Sequence, residues 1–293
     1  MPRWLGAIGL ATLLHAPAFA QSPLDVARQR LRLGDVDSAY TLVRRLAVAE
    51  SSNAQVQFWL GEIAGEKAAR AGIPGGLGPA RQSRRGYARA VALEPNNPSY
   101  LEGWAGYLSQ APGIVGGDRD SARIIAERLR QLDPVRGTFA LASVHLRGGR
   151  DGRSRADSLV RRFAEVRPER PVLLRAGFYW LITGRPEPAL PILERAVAAD
   201  PADPVARYFL GRALLELRRD PGQAQRHLRY ATQNTAPADS FVTYSDYGAW
   251  WRLGQAFVQL GHVDSARAAF EESLRRRPGF AAARRSLDSL SGR

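Results

Sequence analysis

Apolar side chains recur along this chain at intervals of three and four, the spacing that gathers residues on one face of an α-helix. Trp250, Leu253 and Phe257 form one such series, Ala266 and Phe270 a second, and Gly261 lies between them. That pattern predicts two helices joined by a tight turn. The tripeptide Asp-Ser-Ala marks the same kind of turn at 37–39, 120–122 and 264–266, each time three residues after a glycine: Gly34, Gly117 and Gly261. Glycine permits the turn, Asp or Ser accepts the free N–H groups at the start of the second helix, and alanine lets two helices approach closely. Pro95, Pro134, Pro168, Pro201 and Pro278 each follow an apolar-periodic stretch. A proline there stops a helix, because it has no N–H and disfavours helix in the residue before it. Pro134, Pro168 and Pro201 stand 34 and 33 residues apart, so the helix–turn–helix unit repeats.

The last unit reads Trp250-x2-Leu253-Gly254-x2-Phe257, then Gly261, Ala266-x3-Phe270 and Pro278. This resembles the tetratricopeptide repeat, whose signature is W-x2-L-G-x2-Y, then A-x3-F, then P; here Phe257 replaces the tyrosine. The preceding units carry the frame more loosely, as Ala176-Gly177, Trp180, Gly184, Ala189, Leu193, Ala196 and Pro201 in one and Leu210-Gly211 and Leu214 in the next. Extended backward, the frame places about seven helix pairs between residues 22 and 280, weakest over 136–169, and a closing helix over 281–290. The resemblance implies an all-α fold, a right-handed superhelical solenoid of about seven tetratricopeptide-like pairs with a C-terminal capping helix, forming a single domain over 21–293.

Three units exceed the period. The second carries extra residues around Gly72 to Pro79, the third around Ala111 to Asp118, and the sixth between Asn234 and Asp246. The first two are glycine-rich and fall between the helices of their pairs, so they are expected to project from one edge of the stack. Insertions in repeats often lie on the binding face, although loops also vary without consequence.

Residues 1–20 read as a cleaved secretory signal: Arg3, then an apolar run from Trp4 to Leu14, then Ala18-Phe19-Ala20 as the cleavage pattern. The run is short for a span, which takes roughly 20 apolar residues; an uncleaved anchor is the competing reading. The expected location is therefore periplasmic or secreted, with no transmembrane segment in the mature chain. Cysteine is absent, which leaves stability to packing alone. The formal charge of +14 falls by one when Arg3 leaves, and every basic residue but Lys67 is arginine. So basic a chain raises nucleic acid as a partner, but export argues against it; attraction to an anionic envelope surface is the expected consequence.

No catalytic constellation, cofactor motif or metal set stands out. Three histidines remain beyond the signal, His145, His227 and His262, and there is no H-E-x-x-H and no Gly-x-Ser-x-Gly. Asp118 and Asp120 read as helix caps rather than ion ligands, since a calcium loop needs more oxygens at regular spacing. The expected activity is non-catalytic: a scaffold holding an extended peptide, or a partner's helix, along the concave face. By resemblance, the first helix of each pair lines that face, which assigns Phe58, Glu62, Glu102, Arg147, Phe178, Tyr208, Arg212, Trp251 and Gln255 to the peptide-binding groove. The groove is then acidic toward the N-terminus and aromatic toward the C-terminus. Packing between neighbouring units is the competing role for its aromatics. Trp104, Trp180 and Trp250 occupy signature positions expected in the core. Trp251, beside Trp250, must point elsewhere, and with Tyr208 it is expected to be dispensable for stability. The alternative function is a binding protein for a small solute or an envelope-polymer fragment, held in a pocket closed by the two glycine-rich inserts.

Overall fold

The computed structural model describes residues 22–234 and 244–291; the leader over 1–20 and most of the sixth-unit insert lie outside them. Among the described residues the chain is entirely helical. The first helices of the pairs are α1 (Pro23–Arg32), α3 (Ala54–Ala71), α5 (Pro98–Gln110), α7 (Pro134–Leu146), α9 (Arg170–Ile182), α11 (Pro204–Glu216) and α13 (Asp246–Gln259). Their second helices are α2 (Val36–Ala49), α4 (Leu77–Leu93), α6 (Arg119–Leu132), α8 (Gly149–Val166), α10 (Pro186–Ala199), α12 (Pro221–Gln233) and α14 (Val263–Arg276). The closing helix α15 (Ala281–Ser291) follows, and a short 3-10 turn, Gly113–Val115, sits between α5 and α6.

Each helix packs on the next, and each first helix also touches the first helix of the following pair. Such a stack is a one-dimensional array in which every pair completes its neighbour's core. The alanines of the three Asp-Ser-Ala turns, Ala39, Ala122 and Ala266, have no exposed surface, as close helix approach requires. The cap lies earlier than the tripeptide suggests. Asp35 accepts from the Ser38 N–H to start α2, and Asp118 accepts from Asp120 and Ser121 to start α6. Asp37 and Asp120 therefore sit inside the first turn, where a carboxylate faces the positive end of the helix dipole.

The turn glycines do two different jobs. Gly34 and Gly261 adopt φ of 83° and 77°, the left-handed region that a side chain disfavours. Gly117 instead provides close approach: a Cβ there would lie 1.7 Å from the Ala111 carbonyl oxygen. Pro134 also departs from expectation. It follows the end of α6, but it is itself the first residue of α7, with Asp133 as the cap, where its missing N–H costs nothing.

Of the three signature tryptophans, Trp180 is fully buried, whereas Trp104 and Trp250 are half-buried. Trp104 stacks on Tyr107 with centroids 5.8 Å apart, and the Arg276 guanidinium covers Trp250 at 5.4 Å.

Candidate functional site

The face lined by the first helices is crossed by internal contacts that engage most of the residues assigned to it. Phe58 stacks on Tyr100 with centroids 5.0 Å apart. Glu102 on α5 accepts from Arg175 Nη1 on α9 at 2.8 Å and from Arg136 Nη1 on α7 at 3.1 Å, so one carboxylate ties three successive first helices. Arg147 ends α7, and its carbonyl oxygen accepts from Arg119 at 2.7 Å. Phe178 meets Phe209 edge-on at 5.6 Å. Arg212 donates to Glu216 at 2.7 Å, and Arg252 reaches the same oxygen at 3.3 Å while also donating to Gln255.

Two residues are placed otherwise than expected. Tyr208 is buried, 8% exposed, and stacks on Tyr244 at 4.5 Å. Trp251 donates from Nε1 to Ser286 Oγ of α15 at 3.0 Å and meets Phe280 edge-on, so it fastens the closing helix. Both indole and phenol sit where one unit meets the next, and burial there stabilises more than exposure. Sequence reasoning also missed Arg136, Arg175 and Arg252, which pair with Glu102 and Glu216 on this face. Their signal, an arginine on a first helix one or two units from an acid, is lost among so many arginines.

The two glycine-rich inserts meet at a different place. A cavity of about 620 Å³ lies between the C-terminal halves of α3 and α5, the N-terminal half of α4 and the 3-10 turn. Small residues open it. Gly65, Ala68 and Ala69 on α3 and Gly103 and Gly106 on α5 line it, and no side chain of theirs fills the space between these first helices. Its back is held rigidly. Gly86 brings α4 so close to α3 that an added Cβ would stand 2.6 Å from Gln57 O and Gly61 N. The Tyr87 ring then lies between Gly61 and Gly103, each of whose added Cβ atoms would fall within 3.0 Å of it. The Tyr107 hydroxyl, 2.7 Å from Val115 O and 3.0 Å from Ala80 O, pins the 3-10 turn to α4. Ile73 and Ile114, one from each insert, line the same cavity while remaining 80% and 71% exposed.

Among the described residues Glu62 is the only acidic or basic side chain in the lining. Its Oε1 accepts from the Tyr87 hydroxyl at 2.8 Å, and among the described residues no cation pairs with it. Burial pushes its carboxyl above the usual range, and the nearby Glu102 adds to the rise. Burial also drives the Tyr87 hydroxyl far upward, with the Glu62 charge assisting, so it stays a donor. Nothing here assembles a nucleophile with a base. Among the described residues no group of three or more His, Cys, Asp or Glu converges as a metal site, and no helix is long and apolar enough to cross a membrane.

Residues 183–239 and 251–287 match the model of the tetratricopeptide repeat family, the first stretch taking in α10 to α12 and the second most of α13, α14 and part of α15. The C-terminal part of the chain carries tetratricopeptide repeats. Among solved structures, YrrB, described as a TPR protein with an unusual peptide-binding site, is 16% identical over 69% of this chain and 97% of its own, with a TM-score of 0.44. A tetratricopeptide repeat protein from Parabacteroides merdae is 13% identical over 92% of this chain and 97% of its own, with a TM-score of 0.49. The APC/C hetero-tetramer Cut9-Hcn1 gives 16% identity over 92% of this chain and 48% of that one, also at 0.49. No curated protein matches the chain. Proteins of this repeat family are generally non-catalytic scaffolds whose partners are proteins or peptides.

Proposed function

We propose that this tetratricopeptide-repeat chain is an exported scaffold that holds a segment of a partner protein on its first-helix face, anchored in the cavity between the two inserts. The cavity carries the reading. Glycines and alanines on two neighbouring first helices leave about 620 Å³ unfilled there. The flanking isoleucines are exposed, and exposed apolar surface around a recess is the usual mark of a docking site. The aromatics Tyr208 and Trp251 have a structural task instead, which shifts the anchor point toward the N-terminal half. The leader, Arg3 through Ala20, supports export, and the positive net charge favours residence beside an anionic envelope surface. A small-solute site is the second reading, favoured by a mostly apolar lining with a few polar groups, a common composition for ligand pockets.

The reading is tested by panning a displayed random-peptide library on the mature chain and on Gly106→Leu, which fills the cavity. A Cβ at Gly106 meets nothing nearer than Gln110 Nε2 at 3.8 Å, so the backbone tolerates the change. A sequence motif enriched on the wild type and lost on the variant is the expected result. Equal enrichment on both, or no enriched motif, overturns the reading.

A further inference from the structure

Glu62 distinguishes this cavity from a plain apolar recess. Basic residues outnumber acidic ones in the chain by 42 to 28, yet among the described residues no arginine, lysine or histidine lines the cavity. Its one carboxylate is held in place from one side only. Tyr87 donates to Oε1, and among the described residues Oε2 accepts no hydrogen bond. The contrast with Glu102 is direct, since that acid on the next first helix is shared by two arginines. A carboxylate partly removed from water and given no cation is costly, and a cation brought by a ligand offsets that cost. The apolar walls set the rest of the ligand: Ile73, Leu77, Ile114 and Val115 line the cavity around that single acid.

Resting on the proposed reading of this cavity as the anchor site, we propose that it selects a primary ammonium carried on an apolar stem, with the ammonium against Glu62 and the stem among the insert isoleucines. Two sources share that chemistry, the side chain of a lysine flanked by apolar residues in a partner segment and a free alkylamine. The raised carboxyl pKa agrees with an acid whose cation arrives from outside.

Calorimetric titration of the mature chain with hexylamine and with hexan-1-ol, and with a blocked Leu-Lys-Leu peptide and its N-acetyllysine form, separates the outcomes. At least one charged member should bind about tenfold or more tightly than its neutral counterpart, the effect of completing an ion pair with a carboxylate partly removed from water. Glu62→Gln keeps an acceptor for Tyr87, and it should abolish that preference while leaving hexan-1-ol binding within about twofold. Gly106→Leu should weaken all four probes. Preference for the lysine peptide supports both the inference and the scaffold reading. Preference confined to hexylamine supports the inference and assigns the cavity to free amines, which counts against the peptide-anchor reading. Equal binding of charged and neutral members, a preference that survives in Glu62→Gln, or no binding of any probe overturns the inference; library panning then still decides the scaffold reading independently.

Discussion

At Gly86 the second helix of the second pair comes up against the backbone of the first, and Gly86→Ala measures how little that packing yields. An added Cβ would lie 2.6 Å from both Gln57 O and Gly61 N, against an ordinary contact of 3.4 Å or more. Helices α3 and α4 would therefore have to separate by about 0.8 Å along that direction. The obstructing atoms are backbone, so no rotamer change relieves them. Overpacking of this kind costs about 1–3 kcal/mol, and the upper part of that range applies because two helices must move as bodies. Opposing it, replacing glycine by alanine within a helix returns about 1 kcal/mol. The net expectation is a loss of about 1–2 kcal/mol. Gly106→Ala is the internal control, since its Cβ enters open space and only the helix-propensity gain remains, about 0.5–1 kcal/mol of stabilisation. Urea denaturation followed by far-UV circular dichroism reads both, with fluorescence as a second probe, because repeat arrays can lose two-state behaviour. If both variants shift the midpoint in the same direction, the argument from backbone approach is wrong.

Three further outcomes are expected. Glu102→Ala removes the carboxylate shared by Arg136 and the buried Arg175, and should lower stability by about 1–3 kcal/mol, discounted because Glu102 itself is partly exposed; a change near zero in the same urea assay would return Glu102 to the status of a free surface acid. Trp251→Ala should loosen α15 by removing the Ser286 hydrogen bond and the Phe280 contact, at a cost of about 2–3 kcal/mol. Limited proteolysis should then cut near α15 first, and an unchanged digestion pattern would contradict the fastening role. Burial, reinforced by Arg207 and Arg226, pushes the His227 imidazole from 6.5 down to about 4. The folded state then binds fewer protons than the unfolded one between those values. This contribution is fully present above pH 6.5 and is lost as the pH falls toward 4, about 1–3 kcal/mol in all. Melting temperatures of wild type and His227→Gln across that window should converge as the pH falls, and parallel curves would refute the assignment.

The helix pairs were legible in the sequence because their determinants are local. Gly34 and Gly261 set backbone conformation at the turns, prolines such as Pro168 and Pro201 interrupt the helices, and apolar residues three and four apart define a buried face whatever lies beyond it. The two inserts were visible for the same reason, as departures from a fixed period. Cap positions were less legible: Asp35 and Asp118 lie two positions before the first residue of the recurrent tripeptide, and only geometry shows which carboxylate reaches the N–H groups.

What the tertiary structure decided is which side chains remain free. Trp251 and Trp250 are neighbours in sequence, and helical spacing rightly sends them in different directions. No spacing rule tells that the outward direction of Trp251 is covered by α15 some thirty-five residues later. Tyr208 is likewise claimed by Tyr244, and Glu102 by arginines from the next two first helices. Among the described residues Glu62 accepts only from Tyr87, and the space beside it is lined by Gly103 and Gly106, a unit away. Sequence by itself determines the repeat and its turns, which depend on neighbours along the chain. The site depends on contacts between units, where the size of a residue on one helix sets the solvation of a charge on another.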